Sequence, residues 1–121
     1  MLNCLFVGIG GFIGAILRYL LGMLPLSERF EFPIITIGIN ILGAFVIGIV
    51  SQAAVKYGIS DSRMILLLKT GVCGGFTTFS TFSLESSNLI AAGKQGYAVC
   101  YMVLSVLCCL GAAMAGKFLV H

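Results

Sequence analysis

Between Gly71 and Glu85 the chain reads GVCGGFTTFSTFSLE, which places three glycines, five hydroxyl side chains and three phenylalanines in fifteen residues. Glycine lets the backbone leave helical geometry, and hydroxyls donate hydrogen bonds without carrying charge. The edges of aromatic rings carry partial positive charge. Together these groups could replace the hydration shell of an anion without a fixed countercharge. A Lys or Arg at the same place would hold an anion strongly, whereas conduction needs binding weak enough to release. Phe76, Phe79 and Phe82 recur every three residues and are expected to share a helix face, with Ser80, Ser83 and Ser87 as a hydroxyl stripe beside it. A Phe stripe alone is usually core. This one runs next to hydroxyls and just after a glycine-rich point of weakness.

Other polar residues lie where the chain is otherwise apolar. Asn40 needs partners if buried, because an unpaired amide costs about 1–3 kcal/mol. It could bind two helices together, or its NH2 could donate to an anion, and both readings stand. Tyr101, Ser105 and Cys109 are spaced by four; Tyr101 and Ser105 extend a polar track, while Cys109 is only a weak donor. Local back-bonding to its own helix is the bland reading of Ser105. Arg18 is placed to raise the local anion concentration at a vestibule, with its head group snorkelling to the interface. Glu85 is expected to make a structural pairing. Lys69 receives no role.

These side chains must be positioned by membrane helices. Of 121 residues, 60% are hydrophobic and 9% charged, and the mean hydropathy is +1.13. A soluble domain carries about 25% charged residues. Each spanning helix needs roughly 20 apolar residues. The chain therefore reads as one domain, residues 1–121, with four spans at about 2–24, 33–55, 63–92 and 96–119. Pro33 suits the first turn of the second helix. The loops fall at Pro25 with Ser27 to Pro33, at Lys56 to Ser62 and at Gly93 to Gly96. The third helix exceeds one span and is expected to break between Gly74 and Phe79. Lipid does not tolerate exposed irregular backbone, so the break must be buried in protein or line a wet cavity. No cleavable signal peptide is expected, since the start carries no Lys or Arg and its apolar run is too long.

Orientation should follow the Lys/Arg bias of the loops. One side holds Lys56, Arg63, Lys69 and Lys117, and the other Arg18, Arg29 and Lys94. Four against three hardly chooses, so the chain could insert both ways and the two orientations pair antiparallel, or folding could settle one. Small residues line several faces: Gly10 with Gly14; Thr36, Asn40, Ala44 and Gly48; Gly71 with Gly75; Ala112 with Gly116. Such faces bring helices together in lipid, within one chain or between subunits. Helices packed this closely leave little room for a central pore, so transport would use a subunit boundary.

The five cysteines form no CxxC pair and read as small buried residues. No basic cluster suggests nucleic acid. Gly8 to Ile13 lacks the last glycine of a dinucleotide loop, and GVCGGFTT lacks the ending of a phosphate loop. The one histidine is terminal, and paired carboxylates are missing. No catalytic constellation exists, and an enzyme is not expected.

Taken in order, these residues resemble the Fluc/CrcB family of fluoride channels. The likeness rests on Gly10-Gly11 to Arg18-Tyr19, on Thr36, Asn40, Gly43, Phe45 and Gly48, on Gly71 to Glu85, and on Tyr101 and Ser105. It covers essentially the whole chain, and its TTFSTFS core is highly specific. The resemblance implies an all-α integral membrane protein, an antiparallel dual-topology homodimer with two fluoride pores at the subunit boundary. It implies passive, selective fluoride export across the inner membrane, which protects the cell. Phe79 and Phe82 match the rings that face fluoride, Asn40 the pore amide, and Ser80, Thr81, Tyr101 and Ser105 the polar track. Gly74 and Thr77 match positions whose backbone carbonyls hold a central structural sodium ion, which is not transported. Arg18 matches the vestibule arginine and Glu85 the acidic residue that closes the motif. Phe76, Cys109 and Lys69 depart from the family pattern and bear on conduction rate more than selectivity.

The runner-up is a small dual-topology, proton-coupled exporter of cationic drugs. That mechanism needs a carboxylate near the middle of the first helix, and Leu2 to Leu24 contains none. An assembly protein without transport would leave the polar stripe unused.

Overall fold

In lipid every backbone N–H and C=O must find its partner inside the protein, so long apolar runs become helices. The computed structural model describes residues 1–26 and 32–121, and four stretches in it are long and apolar enough to cross a bilayer. Helix α1 spans Leu2–Gly22 and α2 spans Ile34–Lys56. The third stretch, Arg63–Ala91, contains α3 over residues 63–76 and α4 over Phe79–Ala91. Helix α5 spans Gln95–Val120. Pro33 stands immediately before α2 rather than in its first turn. Residues 27–31, and with them Arg29 and most of the first loop, lie outside the described residues. The turns after α2 and α4 each use a left-handed glycine, Gly58 at φ 67° and Gly93 at φ 78°, a geometry that glycine adopts without steric cost.

The spans pack as two tight pairs, each through glycine. A methyl group at Gly10 would overlap the Leu67 carbonyl oxygen, and one at Gly14 the Val72 carbonyl oxygen. Gly71 lies against Gly10, and a methyl group at Gly75 would sit 2.7 Å from the Gly11 oxygen. This closes α1 on α3. On the other side, Gly48 meets the Ala113 carbonyl and Gly116 the Phe45 carbonyl, which closes α2 on α5. These small faces therefore serve packing within the chain. Between Leu66 and Cys73 the hydrogen bonds of α3 widen to the π pattern, and this is the turn that rides over Gly10.

Helical geometry stops at Thr77 and Thr78. Thr77 has ψ 154° and Thr78 has φ −145° and ψ 119°, both extended. Asn40 of α2 reaches across to satisfy the opened backbone. Its Oδ1 accepts from the Thr78 N–H at 2.8 Å, and its Nδ2 donates to the Thr78 carbonyl at 3.1 Å. The Thr81 N–H donates to Thr78 Oγ1 at 3.1 Å, which caps α4. In an unbroken helix these two amides, four residues on, would bond the carbonyls of Gly74 and Thr77. Both amides are turned to side chains, so both carbonyls lose their helical donors. Of the two readings of Asn40, the geometry displays the helix-binding one.

The break also corrects one expectation. Phe76 does not share a face with Phe79 and Phe82. It is 8% exposed and buried at the end of α3, whereas Phe79, beyond the break, is 77% exposed. Two extended residues between them rotate α4 relative to α3, which cancels the three-residue spacing.

Gly14→Ala is expected to force α1 from α3 and destabilise the fold by about 1–3 kcal/mol, as overpacking does. Gly8→Ala, where nothing lies within 4 Å, should be neutral. Asn40→Ala leaves the Thr78 N–H without its partner and should cost about 1–3 kcal/mol. Thermal unfolding in detergent, followed by loss of the monodisperse size-exclusion peak, measures all three. An unshifted midpoint for Gly14→Ala or Asn40→Ala would contradict the packing described.

Candidate functional site

The break positions one wall of a cavity of about 370 Å³, completed by α2, α3, α4 and α5. Asn40, Gly74, Thr77, Phe79, Phe82 and Ser105, all singled out in the sequence, line it. Among the described residues no charged side chain does. A second cavity of about 220 Å³ takes Arg18 and Thr81, with Thr36 and Thr78. Thr78 lines both, so the arginine cavity adjoins the neutral one.

Aromatic contacts run from the cavity into the core. The Phe79 and Phe82 ring centroids are 5.3 Å apart, and those of Phe82 and Tyr101 are 5.2 Å apart. Phe32 meets Tyr101 edge-on at 5.5 Å. Tyr101, with Leu89 and Ala98, forms a buried hydrophobic cluster. Its hydroxyl donates to Glu85 Oε1 at 3.1 Å. This is the structural pairing expected of Glu85, and it commits the Tyr101 hydroxyl to a carboxylate. Neither residue lines either cavity.

Ser105 behaves differently. It is 5% exposed, and its buried hydroxyl has no hydrogen-bond partner. The back-bonding expected of a helical serine is found instead at Ser86, whose Oγ donates to the Phe82 carbonyl at 2.8 Å. An unpaired buried hydroxyl facing a cavity is a group waiting for a partner. Ser80 is exposed, and its Oγ lies 3.3 Å from Thr78 Oγ1. Arg18 Nε donates to the Gly75 carbonyl at 3.2 Å, so the guanidinium braces the end of α3 as well as lining its own cavity. Lys69 is exposed on α3 and lines neither cavity.

Among the described residues no cluster of three His, Cys, Asp or Glu side chains could hold a metal. At the break the Gly74 and Thr77 carbonyls lose the amides that would bond them in an unbroken helix. All five cysteines are free thiols, and two of them, Cys73 and Cys109, line the neutral cavity. Sequence reasoning passed over Thr78, on which the local hydrogen bonding converges. A threonine before a helical start is a preferred N-cap, and that signal was available. It also gave Gly43 no physical role. A methyl group there would overlap Thr77 Cγ2, so the glycine lets the break seat against α2.

Comparison with known proteins agrees across the whole chain. The model of the CrcB-like protein, camphor resistance (CrcB) family matches residues 5–117. A fluoride-specific ion channel FluC from Ruminiclostridium cellulolyticum is 45% identical over 120 residues, 98% of this chain and 92% of its own. Its counterpart from Azobacteroides pseudotrichonymphae is 40% identical, covering 93% of this chain and 91% of its own. That from Chlorobaculum tepidum is 40% identical, covering 98% and 94%. These relatives are named as ion channels, a class that performs no enzymatic reaction. With its model matched from residue 5 to 117 and relatives this similar along nearly their full lengths, the chain belongs to the CrcB-like family.

Proposed function

We propose that this protein is a fluoride-selective channel that lets fluoride leave the cell passively across the inner membrane and so limits its toxicity. The observation that carries the reading is the neutral cavity: ring edges of Phe79 and Phe82 beside a buried, unpartnered Ser105 hydroxyl, with no charged side chain in the wall among the described residues. The names of the relatives support the choice of anion. Fluoride is small and strongly hydrated, so it needs donors that replace water without trapping it. Neutral O–H groups and polarised C–H edges meet that need, and their weak hold permits release. Arg18 in the adjoining cavity raises the local anion concentration at the mouth, and Thr78, Thr81 and Ser80 supply hydroxyls along the way inward.

The working unit in this reading is an antiparallel homodimer of oppositely inserted copies, with pores at the boundary between them. The near-balanced Lys/Arg tally supports insertion both ways. The carbonyls of Gly74 and Thr77 support a twofold partner. Two oxygens from one chain make an incomplete cage, and a symmetric copy doubles them. Carbonyl oxygens are hard donors, and unwound membrane helices present them to sodium. The residues thus fit a structural sodium ion, held by Gly74 and Thr77 of both copies, whose charge would fix the two breaks against each other. The cationic-drug exporter finds no support, because no carboxylate of α1 exists to carry its proton.

Liposomes loaded with fluoride and chloride test the central claim: reconstituted protein should release fluoride and retain chloride. Well-folded protein without fluoride flux would sink it. Phe79→Ile and Phe82→Ile should each lower flux while the oligomer survives on size exclusion; wild-type rates in both would remove the ring-edge mechanism. Full exchange into sodium-free buffer should reduce flux and broaden the size-exclusion peak. Indifference in both readouts would remove the sodium site.

A further inference from the structure

Two thiols face the neutral cavity from different helices. Cys73 ends the π-type turn of α3 and is 3% exposed. Cys109 lies on α5, one helical turn beyond Ser105, and is half-buried. Both line the cavity that Ser105 lines, and the Ser105 hydroxyl is buried there without a partner. The three remaining cysteines, Cys4, Cys100 and Cys108, are exposed and line neither cavity. Thiolates select soft metal ions, which the harder oxygen groups of the same wall do not. A small reagent of no net charge enters a neutral cavity without the penalty that a bare cation meets.

We propose that Cys73 and Cys109 form a site for a soft, thiophilic metal of the mercury(II) class, and that its occupation closes the cavity. With mercuric chloride, the Cys109 sulfur bonds the metal as one chloride leaves with the thiol proton. The Cys73 sulfur then displaces the second chloride, again with its proton. Neither step changes an oxidation state. Bridging the thiols ties α3 to α5 across the cavity beside the Phe rings. The closure arm rests on the fluoride-channel reading, whereas the binding arm stands apart from it.

The test uses full-length protein carrying Cys4→Ser, Cys100→Ser and Cys108→Ser, which removes thiols outside the cavity. After equimolar mercuric chloride, intact mass should show one mercury gained and two protons lost. Fluoride efflux from liposomes should lose most of its rate and recover with excess dithiol. Adding Cys73→Ser should leave an adduct that keeps its chloride, and adding both Cys73→Ser and Cys109→Ser should leave no adduct and no block. No adduct, or only chloride-bearing adducts in the background with both thiols, would overturn the site. A bridged adduct with undiminished efflux would overturn closure. Protein that shows the bridged adduct but no efflux before mercury is added would uphold the site and count against the channel reading.

Discussion

The architecture depends on a single constraint: a backbone opened at membrane depth must be kept from lipid, bonded by protein or turned to a cavity. Thr77 and Thr78 leave the helix, and the opened groups cannot face lipid. Asn40 meets the requirement from the neighbouring helix. Its amide donates and accepts at one residue, so a single side chain holds the Thr78 N–H and carbonyl together. Thr78 itself caps the next helix. The break is therefore a defined conformation rather than a frayed one, and the carbonyls left over are those of Gly74 and Thr77.

Glycine makes this possible by bringing the helices close enough. Asn40 is short, and its reach to Thr78 requires α2 to lie near the end of α3. Gly43, which has no methyl group to meet Thr77, permits that approach. Gly10, Gly14, Gly71 and Gly75 seat α3 on α1, so the segment before the break is held on both sides. Lipid supplies no hydrophobic drive to associate apolar helices, and close packing with polar contacts does the work instead. The cavity is what remains where the break turns α4 away from α3.

The chemistry at the cavity follows from which polar groups are already engaged. The Tyr101 hydroxyl is held by Glu85, and the Arg18 guanidinium bonds the Gly75 carbonyl. Glu85 and Arg18 thus help to hold the frame. Ser105 keeps its hydroxyl unpaired in a wall of rings and small residues. Separating charged frame from neutral lining suits a pathway in which an anion must bind and leave quickly.

Much of this was legible in the chain. The four spans follow from apolar length, because lipid demands helices of about 20 residues. The glycine and hydroxyl content of Gly71 to Glu85 marked the weak point of the third span, since such residues weaken a helix wherever they occur. Other features were not legible. Phe76 and Phe79 have a spacing that puts them on one face of a continuous helix, and only the break separates them. Asn40 could bind a helix or an anion by composition alone, and its partner at Thr78 became visible only when α2 lay beside the break. Ser105 and Ser86 are the same residue type in similar helices, yet one bonds its own backbone and the other faces a cavity. Local sequence determined which stretches cross the membrane and where the backbone gives way, because both depend on short-range burial and propensity. The tertiary structure decided which polar groups are engaged and which are free, because that depends on partners tens of residues away.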